Sequence, residues 1–187
     1  GAPDGLVKVV SGAGETGAAL VEAAPDKIMF TGSVATGKRI AAAAAANLTP
    51  TVLELGGKDP MIVFDDANLE LAAGAAVWGA FCNAGQSCSS VERLYVQQGA
   101  AEKLTALIVE KVNQLKVGSG DSEDVSVGAM SSERQLRIVE DHVADFRAAG
   151  ARIETGGRRN ADFSPPDSRT EVRGPLFFAP TVITGAT

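Results

Sequence analysis

Residues 27–55 read KIMFTGSVATGKRIAAAAAANLTPTVLEL. Lys27-Ile28-Met29-Phe30 is a short strand-forming run. From Ser33 to Ala46 the chain carries Ala, Lys, Arg and Ile, all good or tolerable helix formers. Thr51-Val52-Leu53-Glu54-Leu55 returns to strand character. Short strands alternating with helices of ten or more residues make βαβ units and a mostly parallel sheet, so the expected class is α/β. The alternation continues outward. Leu6-Val7-Lys8-Val9-Val10 reads as a strand, and Glu15 to Ala24 as a helix stopped by Pro25. Downstream, Met61 to Phe64 reads as a strand, and a helix follows from about Asn68 to Cys82 with Asp66 as its candidate cap. Glu92 to Gln97 reads as a strand. Helices follow near Ala100–Leu115 and Ser131–Ala149, the second capped by Ser131 and ended by Gly150. The pattern changes character at Gly56-Gly57, which marks a candidate domain boundary. The polar stretch Asn160–Gly174, with Pro165 and Pro166 adjacent, reads as a loop.

The totals narrow the function. The chain has 187 residues, enough for one medium domain or parts of two, and is 45% hydrophobic. Seventeen basic and 23 acidic residues give a net charge of −6. With no basic run, this argues against a nucleic-acid surface and against an anionic membrane surface. The longest apolar run, Ile40 to Ala46, is far too short to span a bilayer. No signal-peptide pattern is present. Two cysteines six residues apart are not a disulfide framework, so a reducing cytoplasm is expected. One histidine, His142, and no CxxC give poor support for a metal.

Two glycine-rich turns compete as phosphate sites. Gly12-Ala13-Gly14-Glu15-Thr16-Gly17 matches GxGxxG between an expected strand and helix. The acidic residue expected about 20 positions on is missing, since Lys27 to Leu53 contains no Asp or Glu. Phe30-Thr31-Gly32-Ser33-Val34-Ala35-Thr36-Gly37-Lys38 has the same placement. A helix start offers free N–H groups and a favourable dipole to an anion. It is not a P-loop, because Arg39 stands where the motif needs Ser or Thr. Glu54, at the end of the next strand, could serve as a ribose-binding acid.

FCNAGQSCSS, residues 81–90, holds both thiols. Cys82 keeps company with Val77, Trp78 and Phe81 and reads as a small buried hydrophobe. Cys88 falls in a turn rich in Gly, Ser and Gln, the partly exposed setting a nucleophilic thiol needs; an inert buried thiol is the competing reading. A nucleophilic cysteine wants a base. His142 reads as a solvated helix residue, which weakens a Cys-His protease. Glu54, between Leu53 and Leu55, is the carboxylate candidate, because apolar flanks favour acid–base work. A strand-end ion pair with Lys58 is its structural alternative.

Four stretches together resemble the NAD(P)-dependent aldehyde dehydrogenases: Phe30-Thr31-Gly32-Ser33, Leu53-Glu54-Leu55-Gly56-Gly57-Lys58-Asp59-Pro60, Phe81 to Cys88, and Phe178-Ala179-Pro180-Thr181-Val182. They stand in family order, and nearly the whole chain falls within the resemblance. It implies a Rossmann-like parallel-sheet fragment over residues 1–56 and an α/β catalytic domain of the aldehyde dehydrogenase type over 57–187. It implies Cys88 as nucleophile and Glu54 as general base. Gly32 and Ser33 would carry the pyrophosphate of NAD or NADP, with Leu55 and Gln135 also near the cofactor; Gly12-Ala13-Gly14 is demoted. Cys82 and His142 gain no role. The implied reaction oxidises a small-molecule aldehyde to an acid through a thiohemiacetal and a thioester on Cys88, in a homo-oligomer, dimer or tetramer. The family's opening half of the cofactor domain, its oxyanion-hole Asn, its adenosine-ribose Lys and its Glu-x-x-Phe-Gly-Pro segment have no counterpart here. The chain is therefore expected to be a piece of a longer protein and inactive alone. The alternative is a non-catalytic nucleotide-binding or scaffold module that keeps the fold.

Overall fold

A computed structural model of the chain describes residues 1–119, 123–159 and 176–186, and the loop expected over Asn160–Gly174 lies outside them. The chain forms two compact units, Gly1–Gly57 and Lys58–Thr187.

In the first unit, α1 (Gly14–Glu22) precedes β1 (Ile28–Gly32), α2 (Val34–Ala45) and β2 (Thr51–Leu55). The βαβ expectation holds: β1 and β2 pair in parallel, with Thr31 opposite Glu54 and Gly32 opposite Leu55. Ser33 caps α2, its hydroxyl accepting from the Thr36 N–H at 3.2 Å. Leu6–Val10 is not a strand. No described strand pairs with it, and Leu6, Val7, Val9 and Val10 are exposed. A β-branched run supplies propensity, but a strand also needs a ladder partner.

In the second unit, β3 (Asp59–Val63) pairs in parallel with β4 (Val91–Val96), with a bulge at Asp59/Pro60. Between them run α3 (Leu69–Phe81) and a 3-10 turn, Cys82–Gly85. The sheet face bearing Val63 packs on α3 and on α4 (Gln98–Asn113), which buries Ala100, Leu104, Ile108 and Val112 along one stripe. Then come α5 (Glu133–Ala148), β5 (Arg152–Thr155) and β6 (Val182–Thr184), the last two antiparallel. Leu136, Val143, Met130 and Phe178 form a second core under α5.

Three local expectations are corrected. Asn68, not Asp66, caps α3, accepting from the Leu71 N–H at 3.1 Å. Ser132, not Ser131, caps α5, accepting from Gln135 N–H at 3.2 Å. In both cases the accepting side chain must sit three residues before the donor it satisfies, and only the later residue does. Cys82 is exposed rather than buried. It follows α3 one turn after Trp78, which is itself exposed, so helical spacing puts it on the solvent side, away from the buried stripe of Ala73, Ala76 and Val77. No helix among the described residues is long and apolar enough to cross a membrane.

Candidate active site

Cys88 stands exposed in the turn that joins the 3-10 segment to β4. This turn has an unusual backbone. Asn83 (φ 53), Ala84 (φ 56) and Gly85 (φ 72) are successively left-handed, a conformation that costs L side chains energy. At Gly85 the glycine is required twice over, because a Cβ there would also lie 3.0 Å from the Ala80 carbonyl oxygen.

Both flanks of Cys88 are tied down. Downstream, Ser90 is 2% exposed and its hydroxyl reaches the carbonyls of Gly79 at 3.2 Å and Ala80 at 3.3 Å, the last turn of α3. Upstream, the Gln86 amide bridges to a distant segment. Its Oε1 accepts from the Ser131 N–H at 2.7 Å, and its Nε2 donates to the Ala129 carbonyl at 3.3 Å. The thiol thus opens onto a cavity of about 360 Å³, walled by residues 84–88 on one side and by Met130, Ser131, Gln135 and Val139 on the other. That volume is at the small end for an organic ligand. Cys88 and Gln135, far apart in sequence, line the same cavity. Position in the chain gives no sign of Met130 and Ser131 as its wall; only the packing of the α5 start brings them there.

The remaining candidates gather in the first unit, at the carboxyl ends of β1 and β2. Gly32 ends β1, Ser33 caps α2, and Glu54 and Leu55 end the adjacent strand. In open α/β sheets this end of the strands is where ligands bind. The donor set suits a pyrophosphate. The first turn of α2 holds no acidic residue, and its leading N–H groups have no partner inside the helix. A Cβ on Gly32 would lie 2.5 Å from the tip of the Phe30 ring, so a larger residue there would have to displace that ring. Leu55 is half-buried against Gly37 of α2. Glu54 is exposed within its unit, because strand alternation turns Leu53 and Leu55 to the other face. Among the described residues of that unit, nothing bonds to its carboxylate. Gly12-Ala13-Gly14 leads into α1 with no side-chain cap and no preceding strand. His142 is exposed on α5. Among the described residues, no group of three His, Cys, Asp or Glu is placed to hold a metal.

The strongest electrostatic feature lies beside the cavity rather than in it. Arg159 holds two α5 carboxylates, with Nε 2.6 Å from Glu140 Oε1 and Nη2 2.9 Å from Glu133 Oε1. Its guanidinium hydrogen bonds hold both glutamates below the ordinary carboxyl range, and they raise the pKa of Arg159 in return.

Known proteins resemble this chain in sequence and fold. The family model described as the aldehyde dehydrogenase family matches residues 1–187. A 4,4'-diapolycopene aldehyde oxidase of Methylomonas sp is 49% identical over 150 residues, covering 80% of this chain and 28% of that protein. A putative succinate-semialdehyde dehydrogenase [NADP(+)] 2 of Mycobacterium tuberculosis is 41% identical over 184 residues, 98% of this chain and 34% of that protein. The chain therefore spans about a third of the length of the curated relatives it matches. The crystal structure of betaine aldehyde dehydrogenase from Staphylococcus aureus in complex with NAD+ superposes with a TM-score of 0.77 at 40% identity, over 87% of this chain and 31% of that one.

Proposed function

The chain belongs to the aldehyde dehydrogenase family, and from that premise we propose that it is the core of an enzyme that oxidises an aldehyde to a carboxylic acid with NAD or NADP. The observation that carries the reading is Cys88, an exposed thiol in a braced turn, opening onto a cavity that Gln135 also lines. The Cys88 thiolate adds to the aldehyde carbon. The oxyanion that forms is met by the Cys88 backbone N–H, the kind of fixed donor that favours developing charge. NAD or NADP, when bound, supplies the acceptor for the hydride that leaves the substrate carbon. Gly32 and Ser33 hold the pyrophosphate at the start of α2, with Leu55 and Gln135 as further cofactor contacts. The substrate carbon is left as a thioester on Cys88. Glu54 takes a proton from water as water attacks that thioester, and the acid leaves with the thiol restored.

The cycle begins and ends on a free Cys88 thiol, and both cysteines are free. That suits a reducing compartment, which we take to be the cytoplasm. Assembly as a homo-oligomer belongs to the same reading. The test is aldehyde-dependent formation of reduced nicotinamide by the full-length protein and by its Cys88→Ala variant. Turnover lost in the variant supports the reading. Turnover retained at the wild-type rate overturns Cys88 as nucleophile, and nucleotide binding without any turnover leaves a non-catalytic module.

A further inference from the structure

Gln86 lies two residues before the thiol and uses every polar atom it has. Oε1 accepts from the Ser131 N–H at 2.7 Å. Nε2 donates to the Asn83 carbonyl at 3.2 Å and to the Ala129 carbonyl at 3.3 Å. Its backbone N–H donates to the Asn83 carbonyl at 3.1 Å, and its own carbonyl accepts from Asn83 Nδ2 at 3.0 Å. Asn83 and Gln86 therefore brace each other reciprocally across the left-handed residues. The same amide pins the turn to residues 129–131, more than 40 positions away. Those two segments are the two walls of the cavity onto which Cys88 opens.

We infer that Gln86 is a positioning residue: its amide sets the spacing of the two cavity walls and so fixes the Cys88 thiol for attack. The inference rests on the reading of Cys88 as nucleophile. A glutamine is needed because the site asks for one acceptor and two donor directions from one rigid plane. Methionine fills the space with neither. Glutamate keeps the acceptor but turns an anionic oxygen toward two carbonyl oxygens, which drives the turn off the 129–131 segment. Protonation would restore an O–H donor in place of the N–H, so the glutamate variant carries its own rescue.

The experiment compares wild type, Gln86→Met and Gln86→Glu by thiol exchange with a dithiodipyridine, which reacts in acid as well as at neutrality. Peptide mass spectrometry then gives the Cys88 and Cys82 rates separately, with far-UV circular dichroism as the check on folding. Cys82 is exposed at the start of the same turn but makes none of the Gln86 hydrogen bonds, so it reports general loosening of the turn. In wild type Cys88 should react well ahead of Cys82. In Gln86→Met the ratio of the two rates should fall on the order of tenfold at every pH, the scale expected of a misplaced reacting group. In Gln86→Glu it should fall equally at neutrality and recover toward wild type in acid. The midpoint should stand above the ordinary glutamate value of about 4.3, because two carbonyls oppose the anion. A merely structural amide would slow or quicken both thiols together, with no such pH profile. A wild-type ratio near one would overturn the nucleophile reading and this inference with it. A high wild-type ratio that both variants retain would overturn the positioning role alone.

Discussion

Glu54 stands one residue before the end of β2, opposite Thr31 on β1, and its carboxylate is exposed within its unit. Two chemical roles suit a carboxylate there: a base for water, or a ribose acceptor. They separate kinetically. A base is needed only when water attacks the thioester, so Glu54→Gln should let the first hydride transfer proceed and stall the second half of the cycle. The expected record is a burst of reduced cofactor followed by turnover slowed about 10²–10⁴-fold, the usual contribution of a positioned base. A ribose acceptor predicts weaker cofactor binding with turnover restored at saturating cofactor. Rapid-mixing kinetics on the full-length protein decide between them, and full recovery at saturation would end the general-base reading. Cys82 belongs to the same scale. It follows Val77 and Phe81 closely in sequence, yet it stands one turn after the exposed Trp78 and faces solvent with it.

At the scale of elements, α5 is the piece that sets the far wall of the cavity, and Arg159 ties it to the segment after β5. Each of the two glutamates meets the guanidinium with both oxygens, and Arg137 adds a further contact to Glu133 at 3.2 Å. Hydrogen bonds from Arg159 hold both carboxyls below their ordinary value of 4.5. A depressed folded pKa stabilises the native state above the unfolded value, and that gain is lost as pH falls through the folded values. Arg159→Met should therefore lower the unfolding midpoint near neutrality, and the gap to wild type should close below pH 4.5. The ions are solvent-accessible, so the gap is small and salt-sensitive. A gap of equal size in acid would show that packing of the arginine stem, not charge, carries the effect. Elements of this kind divide by how local their causes are. The helices, the β1–β2 pairing and the start of α2 at Ser33 were readable, because periodicity and alanine content act within a few residues. The caps at Asn68 and Ser132 slipped by one or two positions, since several polar residues compete at each helix start. The false strand at Leu6–Val10 and the unread β5–β6 pair share a cause: both depend on a partner supplied from elsewhere in the chain. The same divide runs through the candidate site. The setting of Cys88 and the Gly32-Ser33 helix start were legible as residue types in local patterns. The Gln86 clamp to Ala129 and Ser131 was not, because no local rule links positions 43 and 45 apart.

The two units differ in how much core they own. Lys58–Thr187 buries Leu104 and Leu136 almost completely and holds two hydrophobic clusters. Gly1–Gly57 buries only Val21 and Ala44 among its hydrophobic residues, while Leu20, Met29, Val34 and Leu48 stay exposed. Apolar burial at about 25 cal/mol per Å² is the main term opposing chain entropy, so local stability should follow this inventory. Amide hydrogen exchange followed by mass spectrometry should show the amides of α2 and β2 exchanging ahead of those of α3 and α4, as separate openings rather than one. Gly32 and Ser33, proposed above to hold the pyrophosphate, lie in the unit with less core, which gives a ligand room to act. A ligand that binds only the native form stabilises it by RT ln(1 + [L]/Kd), about 2.7 kcal/mol at a hundredfold excess over Kd. NAD or NADP at that excess should slow exchange by roughly a hundredfold across residues 31–37, where exchange proceeds through opening of the first unit. An adenine nucleotide lacking the pyrophosphate should protect them much less. If α2 and β2 exchanged no faster than α4, buried area would be the wrong guide to stability in this chain. If protection by the dinucleotide appeared around Gly12–Gly17 and not around Gly32–Ser33, the phosphate site would have to be moved to the start of α1.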